Sequence, residues 1–91
     1  MKRYYKNLIK STLLGQLFQT VKLNSFRRKW IKKNKCTQLF PMNMFDSSIV
    51  KAGKHSYGEL NVVSFGNEAT LTIGNYVSVA ENVYFLLDVE H

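Results

Sequence analysis

Two consecutive six-residue units constrain the fold of this chain more than any other feature of its sequence. The units span residues 73–78 and 79–84, and each has an aliphatic residue first, a small residue second and valine fifth. Phe85 then opens a third unit in phase. A six-residue period is typical of parallel β-helices, in which short strands are joined by tight turns. The pattern predicts that Ile73, Val79 and Phe85 point into one interior, with the small second residues at sharp turns.

The same period extends the module back to about residue 49. Residues 52–57 form an imperfect unit, with alanine at the aliphatic position. The 21 residues from Ala52 to Ile73 correspond to three units and a short insertion, which the turn-forming Gly-Asn pair places at 65–68. Three small residues are interpreted as turn positions rather than as a phosphate-binding loop: Gly53, Gly74 and Ala80.

The chain is divided into two parts of opposite charge. Of its 13 lysines and arginines, 11 lie within residues 1–35, a segment without aspartate or glutamate. All six acidic residues lie from residue 46 onward, beside only two lysines. The net charge of +7 therefore describes neither part. Such asymmetry predicts a basic arm, residues 1–35, with a partner of its own, followed by a mildly acidic module.

The arm is predicted to be helical. Apolar residues recur at steps of four along it and form a stripe on one face. A second helical segment is predicted over 26–33, with Asn24-Ser25 as its cap and Asn34, in a left-handed conformation, at its end. The members of the stripe are Ile9, Leu13, Leu14, Leu17, Phe18 and Val21.

Three partners of the arm fit these features. The stripe can pack on the following module, or the helix can lie on an anionic membrane surface, since basic residues stand beside Phe26 and Trp30. Nucleic acid is a third option, because a basic run supplies phosphate affinity, but no recognised nucleic-acid motif accompanies it. The sequence shows neither a signal peptide nor the roughly 20 apolar residues of a membrane-spanning helix. We therefore expect a cytoplasmic protein, with peripheral attachment to the inner face of the membrane if the arm binds lipid.

Residues 36–48 are predicted to be a linker before a module that spans 49–91. Pro41 prevents a regular helix there, and Asp46-Ser47-Ser48 favours a turn. The single Cys36 excludes an internal disulfide and provides no metal cluster, so no metal is expected and the thiol is interpreted as reduced.

An ordered set of motifs in residues 49–91 resembles the first coils of the hexapeptide-repeat acetyltransferases. The branch it resembles most is that of the xenobiotic and chloramphenicol acetyltransferase-related O-acetyltransferases. The motifs are HSYG at 55–58, NVVSF at 61–65, LTIGNYVSVA at 71–80, VYFLL at 83–87 and EH at 90–91. The resemblance implies a mainly β fold, about two coils of left-handed parallel β-helix after the basic helical arm, an exception to right-handed crossovers. It also implies homotrimers that bind acetyl-CoA between subunits and acetylate a hydroxyl of a saccharide, such as a surface polysaccharide or its precursor.

The resemblance places the family's catalytic histidine at His91, in the loop after the strand at 83–87. A neutral imidazole with an ordinary pKa of about 6.5 can remove the proton of a hydroxyl as that hydroxyl attacks a thioester. Relatives commonly have glycines just before this histidine, whereas Asp88-Val89-Glu90 precede it here. Tyr57 and Asn61 match family positions near the acceptor, so the resemblance implies that they bind substrate, whereas the residues themselves favour packing or a turn hydrogen bond. His55 is given no catalytic role.

Residues 49–91 account for little more than two coils, whereas solenoids need about three repeats or more and a terminal cap. We therefore interpret the chain as the N-terminal fragment of a longer enzyme, in which later coils hold acetyl-CoA and without which the fragment is inactive. The alternative is a small non-catalytic protein whose basic arm binds a membrane surface or nucleic acid. Hexapeptides continuing downstream of codon 91 favour the enzyme, and a genuine stop codon favours the binding protein.

Overall fold

One uninterrupted α-helix, α1, spans Lys2–Lys33 in a computed structural model of this chain, which describes the backbone of residues 2–89 and the side chains of residues 12–89. The prediction of two helical segments with a cap at Asn24-Ser25 is therefore wrong. Asn and Ser are each less favourable in a helix than Ala by no more than about 0.7 kcal/mol, which tertiary packing easily offsets. Phe26 and Trp30 lie four residues apart on one face, and both rings pack against Phe45, which fixes the turns just beyond the predicted break.

Asn34 follows the last residue of α1, as predicted, but it closes the helix by hydrogen bonding rather than by a left-handed backbone. Its backbone N–H and its side-chain amide both donate to the carbonyl of Trp30, at 2.9 and 3.1 Å. The described non-glycine residues with positive φ lie elsewhere in the chain.

Six short strands follow α1, and every pairing among them in the described residues is parallel. They are β1 (Gln38–Pro41), β2 (Val50–Ala52), β3 (Tyr57–Ser64), β4 (Leu71–Ile73), β5 (Ser78–Val79) and β6 (Tyr84–Leu87). The first half of β3 pairs with β1 and with β5, and its second half pairs with β6. β2 pairs with β4 in a separate sheet.

Successive turns of the chain are joined by hydrogen bonds between residues 18 to 23 positions apart. The chain thus returns to the same part of the molecule at a nearly constant interval, and each return adds a strand parallel to an earlier one. Coils of a parallel β-helix stack in this way. The left-handed coil remains a prediction.

A left-handed backbone conformation recurs at every sixth residue from Tyr76 to the end of the described chain. Tyr76, Asn82 and Asp88 have φ values of 59°, 62° and 58°, and His55 has a value of 58°. Each is the fourth residue of its six-residue unit, so the expectation that the small second residues form the sharp turns is not met. Asn, Asp and His tolerate this conformation better than a bulky residue such as Tyr76 does. The ring of His55, one turn earlier, stacks on that of Tyr76 with centroids 5.3 Å apart.

Gly53, the small second residue of one unit, has a different role, because it allows two turns of the chain to approach closely. A Cβ added to Gly53 would collide with the backbone of Gly74 and Asn75. At this place the Lys54 N–H donates to the Asn75 side chain at 2.8 Å, and the Ser56 hydroxyl donates to the Gly74 carbonyl at 2.5 Å. Gly53 therefore permits the spacing at which these hydrogen bonds form.

The interior contains the residues that the six-residue phase assigns to it. Ile73 and Val79 are 6% and 9% exposed, and Phe85 packs against the same cluster. Among its residues with described side chains, the helix contributes one member, Trp30, which is 2% exposed. The buried apolar cluster consists of Trp30, Leu39, Val50, Leu60, Val62, Ile73 and Val79.

Residues 36–48, predicted to be a linker, instead form the first turn of the stack. β1 lies within them, and Leu39 is buried in the core. The Cys36 carbonyl accepts a hydrogen bond from the His55 N–H at 2.8 Å, just as the Lys54 carbonyl accepts one from Tyr76 in the next turn. The stacked structure therefore begins directly after α1.

Side chains of α1 occupy the hydrogen-bonding groups on the outer edge of β1. The indole N–H of Trp30 donates to the Leu39 carbonyl at 3.0 Å, and Arg27 Nε donates to the Pro41 carbonyl at 2.7 Å. The Leu39 N–H donates to the Thr37 hydroxyl at 3.4 Å. Pro41 has no N–H, which is why proline suits an edge strand. The outer edge of β1 is thus closed by α1.

Asn43 continues this closure along the second half of β3. Its Oδ1 accepts from the Val62 N–H at 3.0 Å, and its Nδ2 donates to the Val62 carbonyl at 2.6 Å, so one amide side chain replaces a neighbouring strand. The chain then enters a short 3-10 helix, Ser47–Ile49, capped by Asp46. Hydrogen bonds from the Ser48 hydroxyl and from its backbone N–H lower the pKa of the Asp46 carboxyl.

Replacing Trp30 tests whether α1 and the sheet form one folding unit. Trp30→Ala should lower the free energy of unfolding by about 3–5 kcal/mol, because it empties a buried aromatic site and removes the donor to Leu39. Ile31→Ala is the matched control, since Ile31 is 55% exposed, and should change that free energy by less than about 0.5 kcal/mol. Urea unfolding followed by circular dichroism measures both. Equal effects of the two substitutions would contradict the docking of α1.

Replacing Ile73 tests the interior. Ile73→Asp places an unpaired charge in the core and should lower the free energy of unfolding by roughly 3–5 kcal/mol. Thr72→Asp adds the same charge one residue earlier, at an exposed position, and should leave the urea midpoint nearly unchanged. A soluble Ile73→Asp protein with the wild-type midpoint would remove Ile73 from the interior.

Candidate functional site

The predicted catalytic residue, His91, lies outside the described residues, as does Glu90. The structure does describe the chain that leads toward it. Strand β6 stacks on the second half of β3, with Leu87 paired to Ser64, and Asp88 and Val89 follow. The surroundings of Asp88 are therefore the described part of the molecule that is nearest in sequence to His91.

Asp88 is held by its backbone conformation and by its carboxylate. Its φ of 58° is one that glycine adopts freely, and the resembled family commonly has glycine just before its histidine. Both carboxylate oxygens lie 3.1 Å from the Ala69 nitrogen, which donates to them. Asp88 thus adopts a glycine-like turn and holds it against Ala69, at the end of the 65–68 loop, by a hydrogen bond that a glycine could not make.

The insertion predicted at 65–68 is a loop that packs beside Asp88. The Phe65 N–H donates to the Leu87 carbonyl at 2.9 Å. A Cβ at Gly66 would lie 2.8 Å from the Cβ of Asp88, so a larger residue would displace that side chain. Residues 65–68 and 88–89 line an open depression, in which Asn67 and Glu68 contribute polar side chains. Their amide and carboxylate groups can form hydrogen bonds with a polar ligand.

The two predicted substrate-binding residues lie on β3 but in different environments. Asn61 is 7% exposed, and its amide donates to the Val83 carbonyl at 3.2 Å, so that its side chain joins two turns of the stack. Tyr57 begins β3, pairs with Ser78 and is 53% exposed. Since Asp88 follows the residue paired to the far end of β3, Tyr57 and Asp88 lie at opposite ends of that strand. The fold therefore gives Asn61 a structural hydrogen bond and places Tyr57 at the opposite end of β3 from Asp88. Substrate binding by either residue stays a prediction.

Three corner residues of successive turns form a column that the sequence alone does not reveal. The His55 N–H donates to the Cys36 carbonyl, and the rings of His55 and Tyr76 stack at an interplanar angle of 20°. Cys36 is exposed. The contact between Cys36 and His55 joins backbone atoms, so it does not pair the thiol with the imidazole. The one sequence signal for this column is that Cys36 and His55 each lie two residues before a strand, β1 and β3.

One face of α1 is the second candidate functional surface. Phe26 and Trp30 dock on the stack, whereas the stripe farther along the helix does not. The interpretation that this stripe packs on the following module is therefore corrected for its described members, which are 55–66% exposed: Leu13, Leu14, Leu17, Phe18 and Val21. Ile9 lies outside the residues whose side chains are described.

Two further properties bear on the chemistry of the described residues. Among them, no group of three or more His, Cys, Asp or Glu side chains is arranged to hold a metal ion. The same residues include no helix of the length and apolarity needed to cross a bilayer.

Comparisons with protein-family models, with curated proteins and with solved structures gave no match to this chain. The resemblance to hexapeptide acetyltransferases therefore depends on the motifs in the sequence.

Substitutions at Asp88 separate its two roles. Asp88→Ala should lower the free energy of unfolding by roughly 1–2 kcal/mol, because it removes the bond to Ala69 and places a residue with lower left-handed tolerance at a positive φ. Asp88→Gly removes the same bond but relieves the backbone, so its effect should be about half as large. Urea denaturation of the three proteins gives the comparison. A glycine variant less stable than the alanine variant would show that the left-handed turn is unimportant.

Proposed function

We propose that this chain is the opening part of an acetyl-CoA-dependent O-acetyltransferase with a left-handed parallel β-helix, which acetylates a hydroxyl of a saccharide. The observation that carries the proposal is the recurrence of a left-handed fourth residue at Tyr76, Asn82 and Asp88, in phase with the buried first residues of the same units. This repetition supports the hexapeptide architecture and, with it, the motif match that ends at His91. A fold alone does not establish a function, so the catalytic role depends on the histidine.

In the proposed reaction the neutral imidazole of His91 is the general base. It removes the proton of the acceptor hydroxyl as that oxygen attacks the thioester carbonyl of acetyl-CoA. The tetrahedral intermediate collapses to the acetyl ester, the carbon–sulfur bond breaks, and the CoA sulfur takes the proton from the imidazolium. The acetyl group thus moves from sulfur to oxygen, and the proton moves from the acceptor hydroxyl to the CoA sulfur. The full-length protein is proposed to form a homotrimer. Coils beyond residue 91 are proposed to supply the surface that binds acetyl-CoA.

Two features of the described residues, the turn at Asp88 and the depression beside it, support this proposal. Asp88, fixed to Ala69, holds in place the last turn that the structure describes before His91. The depression beside it, with Asn67 and Glu68 at its rim, offers hydrogen-bonding groups to a hydroxyl-rich acceptor. We assign the acceptor sugar to this side of the stack.

The alternative is a non-catalytic basic protein that acts through its arm. The exposed stripe of α1 favours it, since a helix face of this kind requires a partner. The reading frame beyond codon 91 separates the two proposals most directly. Further hexapeptide units there support the transferase, whereas a stop codon supports the binding protein.

The decisive substitution is His91→Ala in the protein encoded by the complete reading frame. Turnover with acetyl-CoA and a saccharide acceptor should fall by roughly 10²–10⁴-fold, the usual contribution of a positioned general base. Acetyl-CoA binding and the oligomeric state should persist, because the imidazole serves the acceptor. The wild-type rate should rise with pH through the pKa of the histidine, since only the neutral imidazole accepts a proton, and the mutant should lack this inflection.

His55→Ala is the matched control, because it removes the other histidine of the chain. It removes a ring stacked on Tyr76 but should retain both turnover and the pH inflection. Near-normal turnover of His91→Ala, or the loss of the inflection in His55→Ala instead, would overturn the assignment of His91.

A further inference from the structure

We propose that the exposed face of α1 docks on an anionic membrane surface, with the stacked strands held on the opposite side of the helix. The proposal is independent of acyl transfer, since it depends only on residues of α1 and on the contacts of that helix. It commits the helix to lying on the bilayer rather than crossing it, in keeping with the absence of a spanning helix among the described residues.

The apolar part of this face is unusually open for a folded protein. Its five large residues are 55–66% exposed and lie within nine consecutive positions. Steps of three and four place them on one side of the helix. Such a patch marks an interaction site more often than an inert surface. The five residues are Leu13, Leu14, Leu17, Phe18 and Val21.

Basic residues continue the same face toward the end of α1. Steps of four, seven and four residues connect Leu17, Val21, Arg28 and Lys32, which keeps all four in line along the helix. A shallow recess on this line is bounded by Val21 and Ser25 on one side and by Arg28, Lys29 and Lys32 on the other. A phosphate headgroup placed there meets cationic groups and a hydroxyl, while its acyl region meets the apolar part.

Lys22 borders the apolar part in a manner that suits an interface. Its ammonium lies 4.5 Å from the centre of the Phe18 ring. A long side chain of this kind can cover apolar surface while its charge stays at the headgroup level.

The contacts of α1 with the stack leave this face free. Trp30 and Arg27 donate to the edge of β1, and Phe26 packs on Phe45 at 5.0 Å. At 100° per residue, this docked side lies across the helix from Leu17 and Val21. The stack therefore cannot cover the stripe without leaving β1, and the stripe can face a bilayer while the stack faces water.

Charge complementarity selects an anionic bilayer as the occupant. Residues 1–35 carry 11 lysines and arginines and no acidic residue. A second copy of the chain would bring these like charges together across the apolar contact, which opposes association. A nucleic acid would match the charge but offers no apolar surface to the five exposed residues. An anionic lipid surface provides both at once.

The experiment measures binding of the 91-residue chain to sedimenting vesicles. One set contains phosphatidylcholine alone, and the other contains phosphatidylcholine with phosphatidylglycerol. Binding should require phosphatidylglycerol and weaken as salt increases, because the attraction is screened. In Arg28→Gln/Lys32→Gln the partition coefficient should fall roughly thirtyfold, from the usual contribution of two cationic residues near an anionic surface.

Lys51→Gln/Lys54→Gln is the matched control, because it removes the same charge from exposed positions in the stack. Its partition coefficient should stay within about twofold of the wild type. Leu17→Ser/Phe18→Ser keeps the charge but removes apolar contact, and should weaken binding by about tenfold or more. Circular dichroism and the emission of the buried Trp30 verify that each variant is folded.

Four results of binding measurements would overturn the proposal. They are equal losses in the two charge variants, equal binding to neutral vesicles, unchanged binding of Leu17→Ser/Phe18→Ser, and tighter binding to short duplex DNA than to anionic vesicles. Analytical ultracentrifugation without lipid addresses a second copy. A wild-type oligomer that becomes monomeric in Leu17→Ser/Phe18→Ser would assign the face to self-association instead.

Discussion

A stack of parallel strands has ends at which apolar side chains and backbone hydrogen-bonding groups need partners that the strands do not supply. At the N-terminal end, α1 supplies both. Trp30 covers the core, and its indole N–H, with Arg27 Nε, satisfies the outward carbonyls of β1. A buried carbonyl without a partner costs about 1–3 kcal/mol, so these contacts are comparable in size with the burial of a large side chain. Helix α1, which the sequence presents as a separate arm, therefore contributes to the stability of the sheet.

The six-residue repeat is expressed in two physical features at once. Its first positions, Ile73 and Val79, fill the interior, and its fourth positions turn the chain through a left-handed residue. The second feature costs about 1–2 kcal/mol at a residue with a side chain, and local contacts offset it. At Asp88 the contact is the hydrogen bond from Ala69, and at Tyr76 it is the stacked ring of His55. Each turn is thus stabilised by a residue from an earlier part of the chain.

The sequence was sufficient to predict the features that depend on neighbouring residues. The helical arm, the interior positions Ile73 and Val79, and the loop at 65–68 all follow from local pattern. Features that depend on distant partners were missed. The Asn43 side chain takes the place of a neighbouring strand by hydrogen bonding to Val62, which is 19 residues away in the sequence. Strand β1 forms in a segment without a hexapeptide pattern because β3 and α1 flank it. The sequence predicts a break at Asn24-Ser25 because these residues favour helix caps, whereas the packing of Trp30 on Phe45, which depends on a distant partner, keeps the helix continuous.

The outer edge of β1 is closed to strand pairing with another molecule. An exposed strand edge is a template for pairing with another chain, and edge-to-edge growth into a fibre needs two such templates on every molecule. Here Trp30, Arg27, Pro41 and Asn43 occupy one of them. Strand pairing with another molecule through the outer edge of β1 is therefore blocked. By sealing its first strand with its own helix, the chain removes one of the two templates that fibre growth along this sheet needs.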